Sequence, residues 1–166
     1  MDEKKKVSVV MCTYNGEKYI REQIDSILTQ TYPIYELIIQ DDGSTDSTIE
    51  IIKEYQNADK RVKLFCNDIS LGFNNNFSMA FSKASGDYIA SSDQDDIWRS
   101  DKIEVLLNSI GDYTLLFHNS SLFYADPRKV ICQKNPDNII YNGLFLLFLK
   151  SATPFPKCYL HKEKWT

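Results

Sequence analysis

The feature that most constrains this chain is a unit that recurs through its first hundred or so residues. A short β-branched apolar run is followed by a polar turn, and then by about a dozen residues whose apolar side chains recur at helical spacing. Val7 to Cys12 is the first such run, and Glu17 to Gln30 carries Ile20, Ile24, Ile27 and Leu28 on one helical stripe. Pro33 closes that helix, and Glu36 to Gln40 predicts a second strand. Ser47-Thr48-Ile49-Glu50 has the form of a capping box opening a helix with Ile49 and Ile52 inward. Val62 to Cys66 predicts a third strand. The segment from Phe73 to Ala84 follows as a helix with Phe73, Phe77, Ala80, Phe81 and Ala84 on one apolar face, and Asp87 to Ser91 predicts a fourth strand.

Strands alternating with helices require crossover connections, which are right-handed and give a mainly parallel sheet covered on both faces. The expected fold is therefore a Rossmann-like α/β layer. In open sheets of this kind ligands bind beyond the carboxyl ends of the strands, so the polar residues closing each apolar run are the candidate site. After Trp98, Asp101 to Ile110 predicts a further helix, and Tyr113 to Tyr124 predicts one long strand or a hairpin. Beyond Asp126-Pro127 the periodicity weakens.

Composition narrows the function. The 166 residues suit one domain but are short for an enzyme that needs separate donor and acceptor pockets. A net charge of -4 and 43% hydrophobic residues describe an ordinary soluble globular protein and argue against a nucleic-acid partner. Lys4-Lys5-Lys6 reads as a solvated start to the first strand rather than a membrane-binding patch. Cys12, Cys66, Cys132 and Cys158 lack the close pairing of zinc or redox motifs, and Cys12 and Cys66 read as small buried hydrophobes in a reducing cytoplasm. Val7 to Met11 is too short for the apolar core of a signal peptide, and Leu144 to Leu149 is too short to span a bilayer. Membrane contact is expected to be peripheral at most, at the inner face.

Three loops carry the chemistry. Thr13-Tyr14-Asn15-Gly16-Glu17 offers a ring to stack on a base and a carboxylate for a base edge or ribose. Gln40-Asp41-Asp42-Gly43-Ser44 places two carboxylates at a strand end, where either could accept from a base imide or cap the next helix. Ser92-Asp93-Gln94-Asp95-Asp96 is the most acidic. Alternating side chains put Asp93 and Asp95 on one side, and two like charges that close call for a hard cation such as Mg²⁺ or Mn²⁺. A solvated acidic turn is the alternative.

In order, Cys12-Thr13-Tyr14-Asn15-Gly16, Gln40-Asp41-Asp42-Gly43-Ser44, Leu71-Gly72-Phe73 with Asn76-Phe77, and Gly86-Asp87-Tyr88-Ile89 leading to Asp93-Gln94-Asp95-Asp96-Ile97-Trp98 resemble bacterial family 2 glycosyltransferases. The likeness covers about residues 5 to 125 and is nearest the rhamnosyltransferase-like members of polysaccharide assembly. It implies the GT-A form of the α/β fold, with residues 1–125 as the nucleotide-sugar-binding core and 126–166 as a partial acceptor-side segment. It also implies that Thr13, Tyr14 and Glu17 line the nucleotide pocket, with Asp41 and Asp42 at the base and Asn76 near the donor. Asp93 would face ribose and metal, and Asp95 would bind the metal. The implied reaction is inverting transfer of sugar from a UDP- or dTDP-sugar to a hydroxyl of a glycan or lipid-linked glycan.

The tail departs from the family pattern. Relatives of this kind place a catalytic aspartate after a histidine beyond a proline-rich stretch, and here Pro154-Phe155-Pro156 precedes His161-Lys162-Glu163. Lys162 occupies the aspartate position and, protonated, accepts no proton, which leaves Glu163 or His161 as stand-in bases. A deletion, truncation or degenerate tail is expected, and a nucleotide-sugar-binding domain without transfer activity is the second reading. Exposed Leu144, Phe145 and Phe148 would then suit a homo-oligomer contact. A phosphorylated receiver domain fits less well, because its acidic pair follows the first strand. A dinucleotide oxidoreductase lacks its G-x-G-x-x-G turn.

Overall fold

The computed structural model describes residues 4–113, 115–116, 121–123, 130–133 and 148–150. The repeating unit is realised as β1 (Val7–Thr13), α1 (Ile20–Leu28), β2 (Glu36–Asp41), α2 (Thr48–Ala58), β3 (Val62–Cys66), α3 (Phe73–Phe81), β4 (Tyr88–Ser92) and α4 (Lys102–Ser109). Short strands follow: β5 (Leu115–Leu116), β6 (Ser121–Phe123), β7 (Val130–Gln133) and β8 (Phe148–Lys150).

The main sheet has the order β3-β2-β1-β4-β8-β5, and its first four strands are parallel. β8 runs antiparallel between β4 and β5. Of the two forms expected for Tyr113 to Tyr124, the hairpin is overturned, because β5 and β6 do not pair with one another, while residues 117–120, on which one long strand depends, lie outside the described residues. β6 instead forms a separate antiparallel ribbon with β7.

Helices cover both faces, as crossover chirality requires. Ile20, Ile24 and Ile27 of α1 pack with Val7, Val9 and Met11 of β1, and Ile52 and Ile103 extend that cluster into α2 and α4. On the opposite face Phe77 and Ala80 of α3 meet Val10, Ile38 and Ile89. Every residue of the interior strand β2 is buried; its middle, Leu37-Ile38-Ile39, is apolar on both faces, while Glu36, Gln40 and Asp41 at its ends are hydrogen-bonded. Each fully buried isoleucine contributes about 2–3 kcal/mol of transfer free energy.

Polar pairing closes the amino end of the sheet. Glu36, 1% exposed, accepts from Ser8 Oγ, Ser85 and Lys63 Nζ, so its charge is compensated within the fold. Lys4, Lys5 and Lys6 lie 5.1–5.4 Å from the ring centroids of Tyr32, Tyr88 and Tyr35. Cys12 is half-buried, but Cys66, expected inside, is exposed because it ends the edge strand β3. No helix among the described residues is long and apolar enough to cross a membrane.

Candidate functional site

The turns leaving β1, β2, β3 and β4 converge on a cavity of about 430 Å³ at the carboxyl end of the sheet. Six of the residues singled out in the sequence line it: Thr13, Tyr14, Asp42, Asn76, Asp93 and Asp95. Asp41 and Glu17 are placed outside its lining, and His161 and Glu163 lie outside the described residues.

The turn after β2 is saturated with hydrogen bonds. Asp41 is fully buried and accepts from Thr13 Oγ1 at 2.8 Å, Gly43 N at 3.0 Å, Ser44 N at 2.8 Å and Ser44 Oγ at 2.5 Å. Asp42 accepts from Asn67 Nδ2 and Leu71 N at 2.7 Å, Ser70 Oγ at 2.8 Å and Gly72 N at 2.9 Å. Four donors fill the roughly four acceptor positions of a carboxylate. Burial by itself would raise the Asp42 pKa, but these hydrogen bonds outweigh it and hold the carboxyl below the ordinary aspartate range. Gly72 has φ +73°, a left-handed value that glycine adopts without steric cost, and it opens α3 while its N–H reaches Asp42.

Asn67 carries the network inward. Its Nδ2 also donates to Asn76 Oδ1 at 2.7 Å, and its Oδ1 accepts from Gln40 Nε2 at 2.8 Å. Asn76, 2% exposed, donates to the Gln40 carbonyl at 3.0 Å, so most of its polar capacity is spent inside the fold.

Glu17 performs helix capping. Its carboxylate accepts from Ser47 N at 2.9 Å, and Asp46 accepts from Glu17 N at 3.1 Å and from Thr48 N at 3.0 Å. The capping-box expectation therefore changes owner, since Ser47 makes no side-chain cap bond. Asp46 and Glu17 supply the anionic oxygens that the first turn of α2 requires.

The turn after β4 is the reverse case. Among the described residues no protein hydrogen bond is made to the side-chain carboxylates of Asp93 or Asp95, and both face the cavity. Burial, followed by the charges of Asp96 and Asp95, pushes the Asp93 carboxyl up to about 7. One buried oxygen of Asp96 has no partner. Burial moves the Asp96 carboxyl upward and the nearby Lys102 ammonium downward, and Lys102 Nζ stands 3.7 Å from the Trp98 ring centroid. Gln23, fully buried, braces this turn from beneath: with its oxygen toward Ser92 Oγ and Trp98 Nε1, its amide nitrogen donates to the Asp96 carbonyl.

No group of three or more His, Cys, Asp or Glu side chains among the described residues is arranged to hold a metal ion. What the turn does offer is two hard carboxylates, one of them held against its charge by like neighbours, and that donor set fits a divalent cation whose remaining ligands come from elsewhere.

Aromatic rings form the other walls. Tyr14 is 55% and Phe73 45% exposed, and both line the cavity. Phe73 thus leaves the apolar face assigned to it and keeps only a tilted contact with Phe77, at 4.8 Å between centroids. Cys12 adds an uncharged wall, since burial and the nearby Asp93 and Asp42 raise its thiol pKa. Ser70, Asn67, Gln94 and Gln23 were not singled out in the sequence. A serine in a polar turn and a glutamine on a helix carry no local mark of a partner dozens of residues away.

Comparison with known proteins places this geometry. Residues 8–144 match the family described as "Glycosyl transferase family 2". A UDP-Glc:alpha-D-GlcNAc-diphosphoundecaprenol beta-1,3-glucosyltransferase of Escherichia coli, WfgD, is 34% identical over 170 residues, covering 96% of this chain and 66% of the relative. An uncharacterized glycosyltransferase of Haemophilus influenzae is 44% identical over 101 residues, covering 61% of this chain and 31% of the relative. Among solved structures, residues 1–349 of S. aureus TarS in complex with UDP-GlcNAc superpose with a TM-score of 0.61 at 29% identity, over 66% of this chain and 33% of that one. The chain thus spans from about a third to two thirds of the length of these curated relatives. The fold is that of GT-A glycosyltransferases.

Proposed function

We propose, from the premise that this chain belongs to glycosyl transferase family 2, that its cavity binds the nucleoside diphosphate of an activated sugar for transfer to a glycan in bacterial surface polysaccharide synthesis. The observation that carries this reading is the meeting, in one cavity, of an exposed Tyr14 ring with the carboxylates of Asp93 and Asp95, which accept no protein hydrogen bond among the described residues. A ring suits the base, and two carboxylates suit a divalent cation that would carry the diphosphate at the other end.

Tyr14 and Phe73 would flank the base, and a UDP- or dTDP-sugar fits this arrangement. Asp42 would meet the base edge only by exchanging one of its four donors, and Ser70, whose hydroxyl is free to rotate at the cavity wall, is the one to yield. Asp93 and Asp95 would hold Mg²⁺ or Mn²⁺, whose contribution there is to offset the charge that develops on the departing diphosphate. The activity of WfgD, glucosyl transfer to a diphosphoundecaprenol-linked sugar, supports a glycan or lipid-linked glycan acceptor; inversion at the anomeric carbon and a place at the cytoplasmic face of the membrane complete the proposal. Residues 1–125 would be the donor-binding unit and 126–166 part of the acceptor side, with Glu163 or His161 taking the acceptor proton.

Lys162 favours a second reading, a nucleotide-sugar-binding domain that transfers nothing. Incubating the chain with a panel of UDP- and dTDP-sugars, Mn²⁺ and a lipid-linked glycan separates the two. Transfer, with anomeric inversion read by NMR, supports the enzyme. Binding with neither transfer nor release of the nucleoside diphosphate supports the module. Absence of nucleotide binding contradicts both.

A further inference from the structure

Gln94 stands between the two cavity carboxylates, and its amide is engaged elsewhere. Gln94 Nε2 donates to the Tyr14 carbonyl at 3.0 Å, and Gln94 Oε1 accepts from Tyr14 N at 2.9 Å. A side-chain amide thus pairs with a peptide unit as a neighbouring strand would, across 80 residues of sequence. Both polar atoms of the Tyr14 backbone are used in this way. The next residue is tied elsewhere, Asn15 N donating to Ser44 Oγ at 2.9 Å, so Tyr14 is the point where the β1 turn fastens to the β4 turn.

Gly16 makes room for the clamp. A Cβ at Gly16 would sit 2.4 Å from Gln94 Oε1 and 2.8 Å from its Cδ, well inside contact distance. Gly16 does not require a left-handed backbone, so the missing side chain serves the approach of Gln94 rather than the turn itself. Asp93 and Asp95 flank Gln94 in the short turn that leaves β4, so the three residues share one stretch of backbone. Fixing the Gln94 amide on the β1 turn therefore also fixes how Asp93 and Asp95 are presented.

We propose that Gln94 is a positioning residue that ties the tyrosine wall of the cavity to the two carboxylates, so that nucleoside binding and divalent-cation binding strengthen each other through the protein as well as through a bridging diphosphate. This rests on the donor-site reading above. A nucleoside that orders Tyr14 orders the Gln94 amide and with it the carboxylates, and linkage makes the effect reciprocal.

Uridine isolates the effect, because it carries no phosphate to bridge to the metal. The test is to measure Mn²⁺ affinity of the full chain with and without saturating uridine, and to measure UDP binding with Mn²⁺ alongside. Wild type is expected to bind UDP with Mn²⁺ and to bind Mn²⁺ about fivefold more tightly with uridine present. Gln94→Ala is expected to lose that enhancement, and Gly16→Ala, which pushes the amide away from the other side, to lose it equally. The double variant should lose no more than either single one, since both break one contact. Thermal unfolding of each variant checks the fold, and Gly16→Ala carries the test if Gln94→Ala does not fold.

UDP binding by wild type without any uridine enhancement overturns the coupling and leaves the donor site standing. An enhancement that survives both substitutions, or losses that add in the double variant, also overturn it. Failure of wild type to bind UDP with Mn²⁺ overturns the donor site and the coupling together.

Discussion

Asp41 and Asp42, after β2, each accept four hydrogen bonds from protein donors. Asp93 and Asp95, after β4, accept none on their carboxylates among the described residues. The two turns lie at the same end of the sheet, on the strands either side of β1, and contain the same residue type, yet electrostatics separates them. Hydrogen bonds hold the Asp42 carboxyl below its ordinary pKa, whereas burial and like charges push that of Asp93 up to about 7. Donors make the first pair part of the architecture, and the proposed function assigns the second pair, which accepts none among the described residues, to a cation. Counting donors around a carboxylate thus separates a structural acid from a candidate ligand-binding one where residue identity does not.

The largest expected effect breaks the architectural half. Asp42→Ala removes the shared partner of two backbone N–H groups and two side chains and should destabilise the fold by about 3 kcal/mol, read as a lower urea midpoint. If its stability matches wild type, the donor count carries no weight. Next comes the binding half. Asp95→Ala should weaken Mn²⁺-dependent UDP binding by about a hundredfold, in calorimetry, while leaving the urea midpoint nearly unchanged, because no protein hydrogen bond is lost.

A pH series sharpens the contrast. A lowered folded pKa at Asp42 gives stability that is present above the ordinary aspartate value of about 3.9 and lost as pH falls through the lowered value. The gap between wild type and Asp42→Asn should therefore shrink below about pH 4, and a constant gap across pH would contradict the assignment. The smallest effect tests Glu17. Placed as the cap of α2, it predicts that Glu17→Ala loses about 1 kcal/mol of stability while UDP affinity stays within about twofold of wild type. A large loss of affinity would return Glu17 to the nucleotide pocket.

Much of this architecture was legible from spacing alone. Apolar runs of strand length followed by helical stripes predict β1 to β4 and α1 to α4 within a few residues at each end, and chain crossovers supply the parallel order. The acidic turns were legible as acidic turns. Their division of labour was not, because the donors to Asp42 come from Asn67, Ser70, Leu71 and Gly72, 25 to 30 residues further on. Phe73 and Cys66 failed for a related reason, since each lies at the end of its element, where periodicity continues but the covering layer stops. Gln94 was hidden by its company, a neutral residue between carboxylates whose partner is the backbone of Tyr14.

The most direct test of the division between the two turns is calorimetric titration of the full chain with UDP and with dTDP, with and without Mn²⁺, for wild type and Asp95→Ala. The structure predicts nucleotide binding that requires Mn²⁺ in wild type and is lost in Asp95→Ala although the variant remains folded. Binding of equal strength without metal, or an Asp95→Ala chain that binds as wild type does, would contradict the assignment of the β4 turn to a cation and its diphosphate.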